Sequence, residues 1–399
     1  MRFRAELSGV TESPLVQVAT LAERTPGCIK LCYGESDLPT PPFIVRALHE
    51  AALAGHTTYT HTAGTPELRA AIAEQAHRLQ GIAIAPDQVM ATIGGSMAIY
   101  VAIRAFVGAG DNAVILSPAY AIYANAVVMA GAEPRQVPLA RDTATRRFAL
   151  DFDRLARAID ARTRMIVVNS PSNPTGWMIT KAEQVALAEL AARNDVMVLS
   201  DEVYERLAFD VDVAPSMARV MDGPAQRDRL VVVNSFSKTY NMTGWRLGWA
   251  QASARTVRLM YAAAEFITSN PTAMVQQAGI AALRDGEASV RALRAHLAAR
   301  RAQVMAALRA VPGVELAAPD GAFYAFPRIA GLGDSAACAS ALVSEARIAV
   351  APGSAFGAGG EGHLRLCFAS TEATVAEALS RLGGALGHGR PRVPTATPD

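Results

Sequence analysis

Residues 164–202, RMIVVNSPSNPTGWMITKAEQVALAELAARNDVMVLSDE, contain two short β-branched runs separated by a segment of helical periodicity. Thr180 and Glu183 fit the capping box that opens a helix, and the apolar residues after them recur at helical spacing. The stretch therefore predicts a strand, a helix and a second strand. RLVVVNSFS, residues 229–237, predicts a third strand. This alternation indicates an α/β fold with a mostly parallel sheet covered by helices on both faces.

Outward from this unit, the same alternation extends over residues 44–290, which we predict to be one large domain. The remainder predicts a smaller α+β domain, formed by residues 1–43 together with 291–387, with an arginine-rich helix near 287–311. The last residues, 388–399, are rich in proline and polar residues and predict a disordered tail. At 399 residues the chain exceeds what one hydrophobic core usually holds, which favours two domains.

The composition narrows the class of function. Hydrophobic residues make up 51% of the chain and the formal net charge is +2. These values indicate a globular protein and show no electrostatic footprint for nucleic acid or anionic lipid, so we expect small-molecule partners. Neither a signal peptide nor an apolar run long enough to span a bilayer is evident, which predicts a cytoplasmic protein. Cys28 and Cys32 have a metal-site spacing but no second pair nearby to complete a zinc site, and we expect all four cysteines to be reduced, mostly buried thiols.

Polar residues follow each predicted strand, where ligands bind in open α/β sheets. Asp201 follows an apolar strand, and a carboxylate there serves either as a helix cap or as a partner for a cation. NSPSNPTGW, residues 169–177, presents two asparagines in a loop that is otherwise explained as a turn. The turn through Gly94, Gly95 and Ser96 into a helix near Met97 suits a phosphate, or is a plain strand-to-helix connection.

Lysine usage adds a further signal. Among 38 basic residues only Lys30, Lys181 and Lys238 are lysines. Lys238 follows the third strand, where burial would lower the pKa of its amine and favour Schiff-base chemistry; an exposed loop lysine is the plain alternative. A phosphate cradle, a carboxylate, hydrogen-bonding groups and an amine together fit pyridoxal 5'-phosphate.

Seven motifs in their order and spacing resemble the fold-type I, class I/II aminotransferases over nearly the whole chain, and the bacterial aspartate and aromatic aminotransferases in particular. They are YTHTAGTPELR (59–69), GGSMA (94–98), SPAY (117–120), NSPSNPTG (169–176), SDEVY (200–204), SFSKTYNMTGWRLGW (235–249) and GHLRLCFAS (362–370).

The resemblance implies an aspartate aminotransferase-like fold, a homodimer with shared active sites, and ping-pong transfer of an amino group between an L-amino acid and a 2-oxo acid. It implies that Lys238 forms a Schiff base with the cofactor, that Asp201 pairs with its ring nitrogen, and that Asn173 and Tyr204 bind its phenolic oxygen. The cofactor phosphate would be held by Gly95, Ser96, the backbone of Met97, Ser235, Arg246 and, from the other subunit, Tyr59; Tyr120 would stack on the ring, and Gly34, Asn173 and Arg365 would bind substrate.

Substrate identity stays open at this point. Ser96 stands where related aspartate enzymes often carry a lysine, which argues against aspartate as the substrate unless an arginine substitutes. Tyr33, Tyr123, Phe323 and Tyr324 are either pocket residues or ordinary core and rim residues. A pyridoxal-phosphate lyase, such as a carbon–sulfur β-lyase, is the alternative enzyme, and a regulatory protein on the same scaffold is an alternative of another class.

Overall fold

A computed structural model describes residue 10 and residues 13–142 and 145–387. The predicted tail, residues 388–399, lies outside the described residues, as do 1–9, 11–12 and 143–144. Within the described part of the chain, no helix has the length and apolar character needed to cross a membrane. All four cysteines are free thiols, and all but Cys28 are buried, as expected.

Seven strands form the central sheet, and they run in the order β2-β10-β9-β8-β7-β3-β4. Only β10 is antiparallel to its neighbours, so the prediction of a mostly parallel sheet is confirmed. The strands of the described chain are β1 (Ile29–Lys30), β2 (Val89–Thr92), β3 (Asn112–Ser117), β4 (Glu133–Pro138), β5 (Ala140–Arg141), β6 (Phe148–Ala149), β7 (Thr163–Asn169), β8 (Met197–Asp201), β9 (Leu230–Ser235), β10 (Gly248–Gln251), β11 (Val314–Glu315), β12 (Tyr324–Ala325), β13 (Arg328–Ile329), β14 (Ile348–Ala349), β15 (Ala351–Pro352) and β16 (Leu364–Cys367).

Helices cover both faces of this sheet. The helices of the described chain, some of which lie away from this sheet, are α1 (Pro14–Glu23), α2 (Pro42–Leu53), α3 (Pro66–Gln80), α4 (Gly95–Phe106), α5 (Ile122–Met129), α6 (Phe152–Ala158), α7 (Lys181–Arg193), α8 (Pro224–Arg227), α9 (Phe236–Thr239), α10 (Ala254–Thr268), α11 (Ala273–Asp285), α12 (Glu287–Arg309), α13 (Ser335–Ala346) and α14 (Glu372–Gly387). The predicted capping box opens α7, because Thr180 Oγ1 accepts from Glu183 N at 3.2 Å and Glu183 Oε2 accepts from Thr180 N at 2.8 Å.

Alternation along the strands explains why both faces are covered. Met165 and Val167 of β7 pack into one hydrophobic core with Ile99 of α4, whereas Ile166 and Val168 pack into a second core with α7. Successive side chains of a strand point to opposite faces, so a continuous apolar run requires a layer of helices on each side.

The remaining elements form an α+β arrangement around α12, α13 and α14. The N-terminal stretch packs with this region, because Ile29 of β1 pairs with Ile348 of β14 in parallel register. The predicted domain limit at residue 44 falls near the start of α2, and the limit at residue 290 falls near the start of α12. The division into two domains stays a prediction.

Candidate active site

A cavity of about 350 Å³ lies where β7, β8 and β9 end. The last residues of these strands, Asn169, Asp201 and Ser235, all line it. They converge because the strands are parallel and aligned, with Asn169 paired to Asp201 across the sheet. Of the site residues predicted from the sequence, the cavity is lined by Gly34, Gly95, Ser96, Tyr120, Asn173, Asp201, Tyr204, Ser235, Lys238, Arg246 and Arg365.

Lys238 lies in the short helix α9 directly after β9. Its Nζ donates to the backbone oxygen of Gly34 at 2.6 Å, which holds the amine beneath the loop that follows β1. Burial lowers the pKa of Lys238 to about 8, so about a tenth of this amine is neutral and nucleophilic at pH 7, far more than for an ordinary lysine. The plain alternative of a solvated loop lysine is therefore not supported.

Asp201 is buried, with 3% of its surface exposed. Tyr123 Oη donates to its Oδ2 at 2.6 Å, and the backbone N–H of Val203 donates to its Oδ1 at 3.2 Å. Burial raises the pKa of Asp201 to about 6, while these two hydrogen bonds and the charge of Lys238 act in the opposite direction. The carboxyl is thus mostly ionised at pH 7 and available to a cationic partner.

Tyr123 has a defined place that sequence reasoning did not assign. The sequence predicts only a pocket or core residue here, yet the hydroxyl of Tyr123 donates a hydrogen bond to Asp201 and the residue is 1% exposed. Tyr33 and Tyr324 also line the cavity, whereas Phe323 is buried beneath it against Tyr204. No local signal identifies the role of Tyr123, because its partner lies 78 residues away in sequence.

A hydrogen-bonded chain connects the strand ends to Arg365. Asn169 donates through Nδ2 to the backbone oxygen of Asp201 at 3.0 Å and accepts from the backbone N–H of Asn173 at 2.8 Å. The side-chain oxygen of Asn173 accepts from Nη1 of Arg365 at 3.0 Å. The two asparagines of the NSPSNPTG loop thus position each other and the guanidinium, which goes beyond the plain reading of this loop as a turn.

Two aromatic rings and hydrogen bonds hold the planar guanidinium of Arg365 in place. Its guanidinium lies 4.7 Å from the ring centre of Tyr324 and 5.0 Å from that of Phe356, and Nη2 donates to the backbone oxygen of Cys32. The Nε atom is buried and has no partner. A planar, stacked guanidinium of this kind is suited to a carboxylate that approaches from the cavity.

The turn before α4 forms a cradle for an anion. The helix begins at Gly95, two residues before the predicted start, and its first backbone N–H groups have no acceptor within the helix. Gly94 has a φ of +85°, and a Cβ there would collide with the guanidinium of Arg246. Ser235 caps α9, with its Oγ accepting from the backbone N–H of Ser237 at 3.1 Å. A helix N-terminus, an arginine and two hydroxyls together fit a phosphate.

Tyr204 and Tyr324 close the opposite side of the cavity. Their hydroxyl oxygens are 2.7 Å apart, and Tyr204 packs edge-on against Phe323 with 5.4 Å between ring centres. A Cβ on Gly34 would come within 2.7 Å of Tyr324 Oη, so only glycine allows this loop to approach so closely. The loop carrying Gly34 is thereby held over Lys238.

Two predicted residues do not line the cavity. Tyr59 is 88% exposed and is not among the residues that line the cavity. Met97 packs its side chain against the core, and its backbone N–H donates to Gly94 O at 3.2 Å. Roles for these two residues stay predictions.

Comparisons with known proteins agree with this geometry. A model of the family described as aminotransferase class I and II matches residues 26–382. The chain is 35% identical to an aspartate aminotransferase of Pyrococcus horikoshii, over 94% of this chain and 95% of that protein. It is also 35% identical to the aromatic-amino-acid aminotransferase 2 of Thermococcus litoralis, over 96% and 97% of the two chains. Among solved structures, a single mutant of the Thermus thermophilus aspartate aminotransferase superposes with a TM-score of 0.89 at 33% identity, covering 96% of this chain and all of that one.

Proposed function

The chain belongs to the aminotransferase class I and II family and has the aspartate aminotransferase-like fold, and from this premise we propose that the cavity at Lys238 is the active site. The protein is a pyridoxal-phosphate-dependent aminotransferase. The relatives named above are all aminotransferases, so neither the lyase nor the regulatory alternative is favoured. The site is assigned because one cavity contains a partly neutral amine, that of Lys238, and a buried carboxylate, that of Asp201.

The residues present fit pyridoxal 5'-phosphate. A side chain at Gly94 would displace Arg246, so the cradle at the start of α4 requires the glycine that the chain has. The buried Nε of Arg365, which has no partner, leaves hydrogen-bonding capacity for a carboxylate ligand. Arg246 and Ser235 would hold the phosphate, Asp201 the ring nitrogen, and Lys238 the aldehyde carbon.

When bound, the cofactor supplies an electron sink that makes the substrate's Cα–H bond acidic. The rest of the chemistry belongs to side chains of this chain. Arg365 orients the amino acid by its α-carboxylate, with Asn173 keeping the guanidinium in place. Asp201 would stabilise positive charge on the ring nitrogen, because Tyr123 and Val203 favour its anionic form. The neutral amine of Lys238 would take the proton from the substrate's Cα and donate it to the carbon of the cofactor's aldehyde group, not back to Cα.

A homodimer forms the second part of the proposal. Leu259 and Phe266 of α10 are 54% and 89% exposed, and Leu53 and Tyr59 nearby are 76% and 88% exposed. His61 contacts Tyr261 of α10 with 5.3 Å between ring centres, which places the segment that carries Tyr59 beside α10. Exposed apolar residues concentrated in this way favour a protein interface, and a second copy would bring Tyr59 to the partner's phosphate.

Sedimentation of Phe266→Glu should show a monomer with reduced activity, and a wild-type monomer at full activity would contradict the proposal.

Lys238→Ala tests the active site. Purified protein is incubated with pyridoxal phosphate, treated with borohydride and digested, and the peptide masses are measured. We expect the cofactor mass on the peptide that contains Lys238, and we expect Lys238→Ala to lose both this label and transamination. Lys181→Ala, which changes a lysine at the start of a surface helix, is the matched control and should keep both. A labelled, active Lys238→Ala protein would overturn the assignment.

A further inference from the structure

Resting on the proposed function, we infer that the amino acid that reacts in this cavity carries an uncharged, mainly apolar side chain and not a second carboxylate. This differs from the acidic substrate in the names of several similar proteins. Three observations carry it: the number of cations in the cavity, the character of its remaining wall, and the sign of two charges that adjoin this wall.

Each cation of the cavity already has a ligand group assigned to it in the proposed function. Among the described residues that line it, the positively charged ones are Lys238, Arg246 and Arg365. Lys238 and Arg246 serve the aldehyde and the phosphate in the proposed function. Arg365 binds one carboxylate, and its stacking between Tyr324 and Phe356 prevents the guanidinium from turning toward a second one.

The remaining wall consists of neutral residues. Leu15 of α1, Ile99 of α4, Tyr33 and Tyr120 line the cavity, together with the hydroxyl of Ser96. A carboxylate desolvated against such a wall without a cationic partner costs several kcal/mol of binding free energy. An aliphatic or aromatic side chain gains from the same contact.

Two carboxylates adjoin this wall. Tyr33 Oη donates to Glu23 Oε1 at 2.6 Å, so a carboxylate lies directly behind one wall residue. Glu35 follows Gly34 in the loop over Lys238, and its Oε2 accepts from Thr243 at 3.0 Å. A second carboxylate on the substrate would therefore approach like charges.

Neutral surroundings continue into an adjoining cavity of about 160 Å³. The two cavities share Tyr120, and Pro14, which precedes Leu15 in α1, lines the second one. Its described lining residues are uncharged and include Pro14, Ala124 and Phe356. Large neutral side chains thus find further compatible space beside the reaction centre.

The first test measures equilibrium binding of unreactive acids to the holoenzyme. 3-Phenylpropionate and 4-methylpentanoate present one carboxylate and an apolar tail, whereas succinate presents two carboxylates. We expect the apolar acids to bind about 100-fold more tightly by calorimetry, since each 1.4 kcal/mol corresponds to a tenfold change in affinity. Equal or tighter binding of succinate would overturn the inference.

The second test compares amino donors and one pair of variants. Leucine, methionine and phenylalanine should convert the bound cofactor to its amine form with higher kcat/KM than aspartate or glutamate. Leu15→Lys adds a cation to the cavity wall and should shift the ratio of aspartate to leucine kcat/KM about tenfold toward aspartate. Val16→Lys is the matched control, because Val16 is 47% exposed on the same helix and does not line the cavity. It should leave the ratio unchanged.

The outcomes separate the two proposals. If no amino acid of either class converts the cofactor, the proposed function of the cavity fails. If aspartate or glutamate is the better donor in the wild type, transamination stands and the inference about the side chain is wrong. The binding test decides the question even if Leu15→Lys does not fold.

Discussion

Asp201 and Glu202 are adjacent carboxylates at the end of β8, and both are buried, at 3% and 2% exposure. Asp201 lines the cavity proposed as the active site, whereas Glu202 lines a separate space of about 10 Å³ with Glu205, Asn234 and Trp249. Consecutive residues of a strand point to opposite faces, so one residue step separates the two environments.

The two carboxyl groups differ in the charges that face them. Burial raises the pKa of both, to about 6 for Asp201 and to about 8 for Glu202. Lys238 offsets part of the effect at Asp201, whereas the neighbouring carboxyl of Glu205 adds to it at Glu202. At pH 7 we therefore expect Asp201 to be mostly ionised and Glu202 to be mostly protonated. Burial by itself does not make a carboxyl functional; its partners decide its charge.

Substitution of Asp201 tests the difference between the two carboxyl groups most directly. Asp201→Asn keeps the size of the side chain and one oxygen acceptor, for either Tyr123 or Val203, but removes the charge that would face the ring nitrogen. We expect kcat/KM for transamination to fall about 100- to 1000-fold, the range found when one preorganised electrostatic group is lost. Glu202→Gln is the matched control and should change kcat/KM by less than about threefold, well under the loss from one such group. Equal losses in the two variants would show that the two carboxyl groups do not differ in function.

Tyr123→Phe tests what keeps Asp201 ionised. The phenol stabilises the anion, so its removal raises the pKa of Asp201 and moves the acid limb of the pH–kcat/KM profile to higher pH. A hydrogen bond to a charged group contributes about 1.5–3 kcal/mol, which corresponds to a shift of about one to two pH units. Tyr240→Phe removes a buried phenol that donates to the neutral amide of Gln75, and it should leave the limb in place. An unmoved limb in Tyr123→Phe would assign that residue a packing role only.

The smallest effect concerns stability at Glu202. Its folded pKa, about 8, lies above the value of about 4.5 for an ordinary glutamate, so the folded state binds more protons between these pH values. Its contribution to stability therefore decreases as pH rises from about 5 to 8. Glu202→Gln keeps an acceptor for Ser200 and Met217 but does not titrate. We expect the variant to gain about 2 kcal/mol relative to wild type between pH 6 and pH 8, measured by denaturant unfolding. A pH-independent difference would mean that Glu202 is ionised in the folded protein.

Much of the architecture follows from local patterns in the chain. The β-branched runs that became β7, β8 and β9, the capping box at Thr180 and the helix near residues 287–309 depend on neighbouring residues only. The same holds for the polar residues at strand ends, because parallel strands bring their carboxyl ends to one edge. Most of the candidate site could therefore be predicted, aided by the family resemblance.

Contacts between distant segments account for what could not be predicted. Tyr123 reaches Asp201 across 78 residues, and Arg365 reaches Asn173 across 192. The sequence by itself determined which residue types stand at the strand ends and hence the class of chemistry, because secondary structure arises from local patterns and parallel strands bring their carboxyl ends to one edge. Only the tertiary structure decided which face each carboxyl meets, which cations remain free and what wall the substrate contacts, since burial and charge depend on all the segments that pack together.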